Sequence, residues 1–394
     1  MIVIIQSVIV PVTYQEILAG IYSLFNSKNR LAEFETMLSE LVDCEYVILT
    51  SSGTSALYVL LKAYGLKRGD EIIVPAYICE KVVRLLLDMG YKVKFVDVEK
   101  ETYDISIEDL NEKISRETKV VIAAHMFGNP CRMNEILEVS HDHNAIVIED
   151  SAQCICAEYK GKRVGSLGDS AFFSFGEGKP ITTISGGAIT TNDKEVAKKA
   201  MAIVNKFKRT NNKILLKLIL YSFIKNRRIY RLVYNKIQKR RERRWNELKN
   251  AMNLDDLEQK FTNLQASIGI IQLKKLRYFN EARYRNSTFL IRGLERFKNI
   301  RTPKILPNCK PIFLRLPIYI KDINLKQRLL KALIKSGIDA SPAYPNYLPN
   351  FFKINHDCPN ARDLVRKTIT LPVHPCVKQK DLIGILDIVR RVAE

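Results

Sequence analysis

Ala171-Phe172-Phe173-Ser174-Phe175-Gly176-Glu177-Gly178-Lys179-Pro180 carries a strand-like apolar run directly into a glycine-flanked lysine. A second apolar run, Gly187-Ala188-Ile189-Thr190, follows at once. About 25 residues upstream, Ala145-Ile146-Val147-Ile148-Glu149-Asp150-Ser151-Ala152-Gln153 reads as a buried strand ending in a carboxylate and an amide. A lysine between glycines is ordinarily a solvated loop residue. A phosphate-binding loop is excluded, because it requires a glycine where Phe173 stands and a serine or threonine where Pro180 stands. Lys179 and Asp150 together offer an amine for a Schiff base and a carboxylate for a pyridinium nitrogen, the pair that pyridoxal 5'-phosphate (PLP) chemistry needs.

Two further segments support that chemistry. Thr50-Ser51-Ser52-Gly53-Thr54-Ser55-Ala56-Leu57 follows a short strand, Tyr46–Thr50, and opens a helix. Backbone N–H groups at a helix start, with small hydroxyl residues beside them, suit a phosphate, although the same pattern also makes an ordinary N-cap. Ser174, five residues before Lys179, adds a hydroxyl if the loop folds back. Ala124-His125-Met126-Phe127-Gly128-Asn129-Pro130 sets an imidazole at the C-terminal edge of a strand, where α/β proteins gather ligands.

Strands at Glu71–Val74, Lys92–Val96, Lys119–Ala123 and Ala145–Ile148 alternate with helical segments, which predicts an α/β domain with a mostly parallel central sheet. From about residue 276 a long helix, a strand-like run Ile312–Tyr319 and a final helix near 379–392 predict a smaller α+β domain. The expected division is 1–204 for the N-terminal segment and the large PLP-binding domain, 205–257 for a basic helical insertion, and 258–394 for the interdomain helix and small domain. The chain has 394 residues, 46% hydrophobic and 27% charged, enough for a large globular core and a second domain. No signal peptide or membrane span is expected, since Gln6 and Ser7 interrupt the apolar start and no run reaches about 18 apolar residues. Eight cysteines lack paired zinc spacing, so free thiols in the cytoplasm and no metal are expected.

Asn205–Asn250 stands apart. Its 16 Lys or Arg face 2 Glu, giving about +14 of the chain's formal +21. A solvated basic helical insertion is the plain expectation. Its apolar cluster Ile214–Tyr221 beside basic pairs also suits peripheral contact with an anionic membrane at its inner face. Nucleic acid is not expected, because the charge is confined to one insertion and no nucleic-acid motif accompanies it.

In order along the chain, Ser52–Leu57, Gly69–Pro75, His125–Gly128, Glu149–Gln153, Gly161–Asp169, Ser174-Phe175 with Lys179, and Leu371-Pro372-Val373-His374-Pro375 resemble the DegT/StrS family of nucleotide-sugar aminotransferases. These are PLP enzymes of fold type I. The resemblance implies that Lys179 carries the cofactor as a Schiff base, that Asp150 pairs with the pyridine nitrogen, and that Gln153 lies near the phenolic oxygen. It also implies that Ser174 with Gly53, Thr54 and Ser55 holds the phosphate. Lysine at 179, where some members have histidine and act as dehydratases, favours amino transfer, with glutamate the expected donor and a keto sugar nucleotide for surface polysaccharide the expected acceptor. A sugar dehydratase, another PLP outcome, or a non-catalytic membrane-associated relative are the alternatives. Cys79 stands where a ring-stacking aromatic is usual, with Tyr77 a nearby substitute. Glu258-Gln259-Lys260-Phe261 replaces an element that typically reaches the neighbouring subunit of a homodimer. His125, Tyr77 and Lys260 are the expected substrate contacts.

Overall fold

A computed structural model of the chain describes residues 4–26, 29–209, 213–342 and 344–394. Seven strands form the central sheet: β1 (Tyr46–Thr50), β2 (Glu71–Pro75), β3 (Lys92–Val96), β4 (Thr118–Ala124), β5 (Ile146–Asp150), β6 (Ser170–Ser174) and β7 (Gly187–Thr191). Their order across the sheet is β1-β7-β6-β5-β4-β2-β3, and β7 alone runs antiparallel to its neighbours. Period-two alternation sends the side chains into two cores. Ile72, Val74, Val120, Ile122 and Ile148 pack on one face, while Ile73, Val121, Ala123 and Val147 pack on the other. Both faces are therefore covered, as near-continuous apolar strands require.

The small domain is an antiparallel sheet of β8 (Ile300–Arg301), β9 (Leu316–Ile320) and β10 (Thr368–Leu371), backed by helices Ile323–Lys335 and Gln379–Ala393. A 32-residue helix, Asn263–Leu294, joins it to the large domain. That helix begins well before the expected 276 because Thr262 and Gln265 form a reciprocal capping box. The run Ile312–Tyr319 is a strand only from Leu316. Before that, Ile312 N–H donates to the Gly128 carbonyl at 3.0 Å and Leu314 N–H to the Phe127 carbonyl at 2.8 Å, tying this segment to the turn after β4. The N-terminal segment also sits with the small domain: Ile5 N–H donates to Gly337 at 2.7 Å and accepts from Asp339 N–H at 2.9 Å.

The basic insertion forms two helices, Ile214–Ile224 and Arg227–Glu247. It is not simply solvated. Ile214, Leu218 and Tyr221, one stripe at helical spacing, pack against Ile9, Val12, Ile184 and Ile268. From the second helix, Tyr230 (2.8 Å), Gln238 (3.0 Å) and Arg241 (3.2 Å) all converge on the buried Asp339 carboxylate. Arg227 grips Asp381 through both guanidinium nitrogens. Hydrogen bonds to charged groups stabilise by about 1.5–3 kcal/mol each, so this stripe fixes the insertion to the small domain. Only part of the apolar cluster expected to meet lipid is therefore free to do so. Leu216, Leu220 and Phe223 are each more than half exposed.

Candidate active site

The C-terminal ends of β2, β4, β5 and β6 deliver Tyr77–Glu80, His125, Asp150 and Ser174 to one edge of the sheet, and the loop after β6 brings Lys179 near Asp150 and Cys79. Gly178 takes φ +77°, a left-handed turn that favours glycine just before the lysine. Beyond it, Arg283 donates to the Pro180 carbonyl at 2.6 Å from full burial. The Lys179 side chain is partly open by surface area while its amine end is enclosed. Burial pulls the ammonium below the ordinary lysine range, with Cys79 and Asp150 opposing and Arg315 and Lys81 adding to the fall.

Asp150 is buried, and its Oδ1 accepts the Ala152 N–H at 3.1 Å. Burial raises its carboxyl, and Lys179 is the strongest opposing influence. The two groups thus stabilise each other's charged forms in a site that penalises either alone. Cys79 shares the neighbourhood: burial and Glu80 push its thiol up, against the pull of Lys179.

The start of the helix Gly53–Ala63 meets the end of β6. A Cβ at Gly53 would lie 2.9 Å from the Ser174 Cβ, so glycine alone permits the approach. Ser52 caps the helix by accepting Ser55 N–H at 3.0 Å, and the Ser55 hydroxyl donates to the Leu257 carbonyl at 2.7 Å. Ser55 is therefore largely committed within the protein, while Gly53, Thr54 and Ser174 flank the helix start.

The Gln153 amide nitrogen donates to the Tyr344 hydroxyl at 2.9 Å, and its Oε1 is buried without a partner. Tyr77 is buried among Tyr103, Phe127 and Tyr344, with ring centroids 5.4–6.2 Å from it. Among the described residues, buried side-chain atoms without hydrogen bonds concentrate here: Tyr77 Oη, Glu80 Oε1, Ser151 Oγ, Gln153 Oε1, Arg315 Nε and Asn346 Nδ2. Asn346 lies beside Glu80 without the geometry of a hydrogen bond. Buried polar atoms are normally paired, so such a cluster marks a place shaped for a ligand. A buried amine, a carboxylate, a helix start with two hydroxyl residues and an open amide oxygen fit PLP group by group.

Three expected substrate contacts sit differently from one another. Tyr77 lies inside the aromatic cluster at the site. His125 is near Asp150, but its Nδ1 accepts Cys131 N–H at 3.1 Å and its Nε2 donates to Glu149 at 2.9 Å. Both ring nitrogens are spent, so His125 positions the strand edge rather than offering a hydrogen bond to a ligand. Lys260 is not brought to Lys179 within one chain. It lines a separate cavity of about 690 Å³ on the outer side of β1, with Leu31, Glu35, Leu49, Arg209 and Phe261. Burial pushes the Glu35 carboxyl there up to about 7.

Sequence reasoning missed Tyr344, Asn346 and Arg315. Of these, Arg315 carried a signal: it is a lone charge inside the apolar run Ile312–Tyr319.

The sequence profile of the DegT/DnrJ/EryC1/StrS aminotransferase family matches residues 17–390. GDP-perosamine synthase of Caulobacter vibrioides is 28% identical over 317 residues, covering 80% of this chain and 76% of that protein. The spore coat polysaccharide biosynthesis protein SpsC of Bacillus subtilis is 25% identical over 396 residues, covering 96% and 94%. Among solved structures, the Helicobacter pylori aminotransferase PseC, involved in the biosynthesis of pseudoaminic acid, superposes with TM-score 0.81 at 20% identity, covering 99% of each chain.

Proposed function

The chain belongs to the DegT/DnrJ/EryC1/StrS aminotransferase family and is a PLP-dependent transaminase, and on that premise we propose that it moves an amino group from glutamate to a keto sugar nucleotide for cell-surface polysaccharide. The observation that carries the reading is the buried Lys179–Asp150 pair at the strand ends, with unpaired polar atoms gathered around it. When bound, the cofactor supplies an electron sink for the carbon that bears the transferred nitrogen. Asp150 holds a proton on the ring nitrogen, its charge favoured by Lys179 against burial. Lys179, its ammonium depressed, has a larger neutral fraction near pH 7 than an exposed lysine and would carry the proton between the nitrogen-bearing carbon of the substrate and the aldehyde carbon of the cofactor. Gly53, Thr54 and Ser174 would hold the phosphate, Gln153 would meet the phenolic oxygen, and Cys79 with Tyr77 would bound the ring. Mass spectrometry of products from glutamate and keto sugar nucleotides, with amine gained and 2-oxoglutarate released in equal amounts, tests this; loss of water from the sugar without amine gain contradicts it.

The working unit in this reading is a homodimer in which the 258–263 segment serves the partner's site. Supporting this, Lys260 lines a cavity to which Lys179 of its own chain does not contribute. An inactive Lys179→Ala chain mixed with an inactive Lys260 variant then regains partial activity in hybrids, and a fully active monomer contradicts it.

The enzyme also works at the inner face of the membrane, held there by an anionic bilayer. Among the described residues no helix is long and apolar enough to cross a membrane. Helix Tyr14–Phe25 turns Tyr14, Leu18, Tyr22 and Phe25 outward, and it touches helix Ile214–Ile224, whose Leu216, Leu220 and Phe223 are also outward. Exposed Lys213 and Lys217 border that face, and the insertion supplies the charge that an anionic surface complements.

A further inference from the structure

Glu80 and Asn346 present an open acceptor beside an open donor. Glu80 begins the helix Glu80–Asp88 after β2 and is 4% exposed, yet its Oε1 is buried without a partner. Asn346 comes from the small domain, and its Nδ2 is likewise buried and unpaired. Two contacts lay the two segments side by side. Before Glu80, the Tyr77 and Tyr344 rings pack with centroids 5.4 Å apart. One helical turn after it, the Arg84 guanidinium lies over the ring of Phe352, which ends the helix Leu348–Phe352, at 5.9 Å. Glu80 and Asn346 fall between these contacts. The first contact also ties the pair to the end of β5, because the Tyr344 hydroxyl accepts the Gln153 amide N–H at 2.9 Å and Gln153 closely follows Asp150.

We propose that Glu80 and Asn346 together bind one ring hydroxyl of the acceptor sugar and so set which sugars the enzyme accepts. This rests on the reading of the enzyme as a keto sugar nucleotide aminotransferase. A hydroxyl has one proton to give to Glu80 and lone pairs to take the Asn346 N–H, so it satisfies both atoms at once. An ammonium group only donates and would leave Asn346 unpaired. The carboxylates of an amino donor and the diphosphate of the nucleotide only accept, and they meet like charge at Glu80. A sugar without that hydroxyl leaves two buried polar groups unpaired, the arrangement that strongly rejects a deoxy analogue.

The test uses the holoenzyme and a set of dTDP-linked and GDP-linked 3-keto and 4-keto 6-deoxyhexoses, each compared with counterparts lacking one ring hydroxyl. Amine transfer from glutamate gives kcat/KM, and calorimetric titration of each sugar nucleotide without glutamate gives its affinity. Loss of one particular hydroxyl is expected to cost the wild type on the order of a hundredfold in both. In Glu80→Leu and in Asn346→Ala that gap is expected to close, while Glu80→Gln, which keeps an acceptor oxygen, retains part of it. Asn346 is half-buried, so its variant serves where Glu80→Leu does not fold. Equal kcat/KM for all sugars in the wild type overturns the proposal. So does a fall in the variants that is the same for every sugar, or one confined to KM for glutamate. Amine transfer by the wild type to none of these sugars overturns the underlying reading and the proposal with it, whereas transfer without discrimination is failure of the hydroxyl site alone.

Discussion

His125 donates its Nε2–H to Glu149 across 2.9 Å, and neither residue is exposed. Glu149 also accepts N–H groups from Gly165, Leu167 and Gly168 at 2.7–2.9 Å. One carboxylate thus ties the turn after β4 to the loop before β6, the two segments that flank Asp150. Replacing Glu149 by Gln turns an N–H donor toward backbone donors and leaves buried groups unpaired. The expected loss is about 3 kcal/mol of stability, read as a lower urea midpoint at unchanged slope. His125→Asn is expected to lower stability more than it changes KM for either substrate; a change in KM alone would show that the imidazole meets a ligand.

His374 predicts a pH dependence. Its Nε2 donates to the Gln6 carbonyl at 2.9 Å and its Nδ1 accepts Cys376 N–H at 3.3 Å, so it is held neutral, and burial pulls it down to about 4. The unfolded chain binds this proton from about pH 6.5 downward, while the folded chain resists until about 4. Stability from this group is therefore intact above pH 6.5 and falls by about 3 kcal/mol as pH drops to 4. His374→Gln is expected to flatten denaturation midpoints over that window. A wild-type curve with no slope there contradicts the burial of a neutral ring.

How far the site could be read from sequence followed the spacing of its parts. Lys179, Asp150 and Ser174 each close an apolar run, so a strand end and a chemical group coincide within a few residues, and the structure brings them together. Arg315, Tyr344 and Asn346 come from the small domain, more than 130 residues beyond Lys179, and no local period connects them to it. The docking of the insertion on the small domain was not legible for the same reason. Its charge is visible, but Asp339, which gathers Tyr230, Gln238 and Arg241, lies about a hundred residues farther along. The long helix was placed late because Asn263–Gln272 is buried on several sides, and polar and small residues there blur the 3.6-residue period.

Asp150→Asn keeps the shape of the side chain and removes its charge. The cofactor is expected to stay bound while turnover falls by orders of magnitude, because the ring nitrogen loses the partner that keeps it protonated. Near-normal turnover would show that Asp150 does not serve the ring.

For the membrane contact, co-sedimentation with phosphatidylserine-containing and neutral vesicles is compared for the wild type, a Leu216→Ser, Leu220→Ser, Phe223→Ser variant, and a Lys213→Glu, Lys217→Glu variant. Each basic side chain near an anionic bilayer contributes about 1 kcal/mol. Both variants are expected to bind less to anionic vesicles, and high salt to weaken the wild type. Equal binding by all three contradicts the contact, as does light scattering in which the apolar variant alone falls from dimer to monomer, since a second copy then covers the face.

The most direct test of the central claim is borohydride reduction of the purified enzyme, followed by peptide mapping. The account predicts a yellow protein whose visible band bleaches on reduction, with the pyridoxyl mass fixed on the peptide containing Lys179 and absent from Lys179→Ala. Recovery of the label on another lysine, or a colourless protein that gains no label when PLP is added, would contradict it.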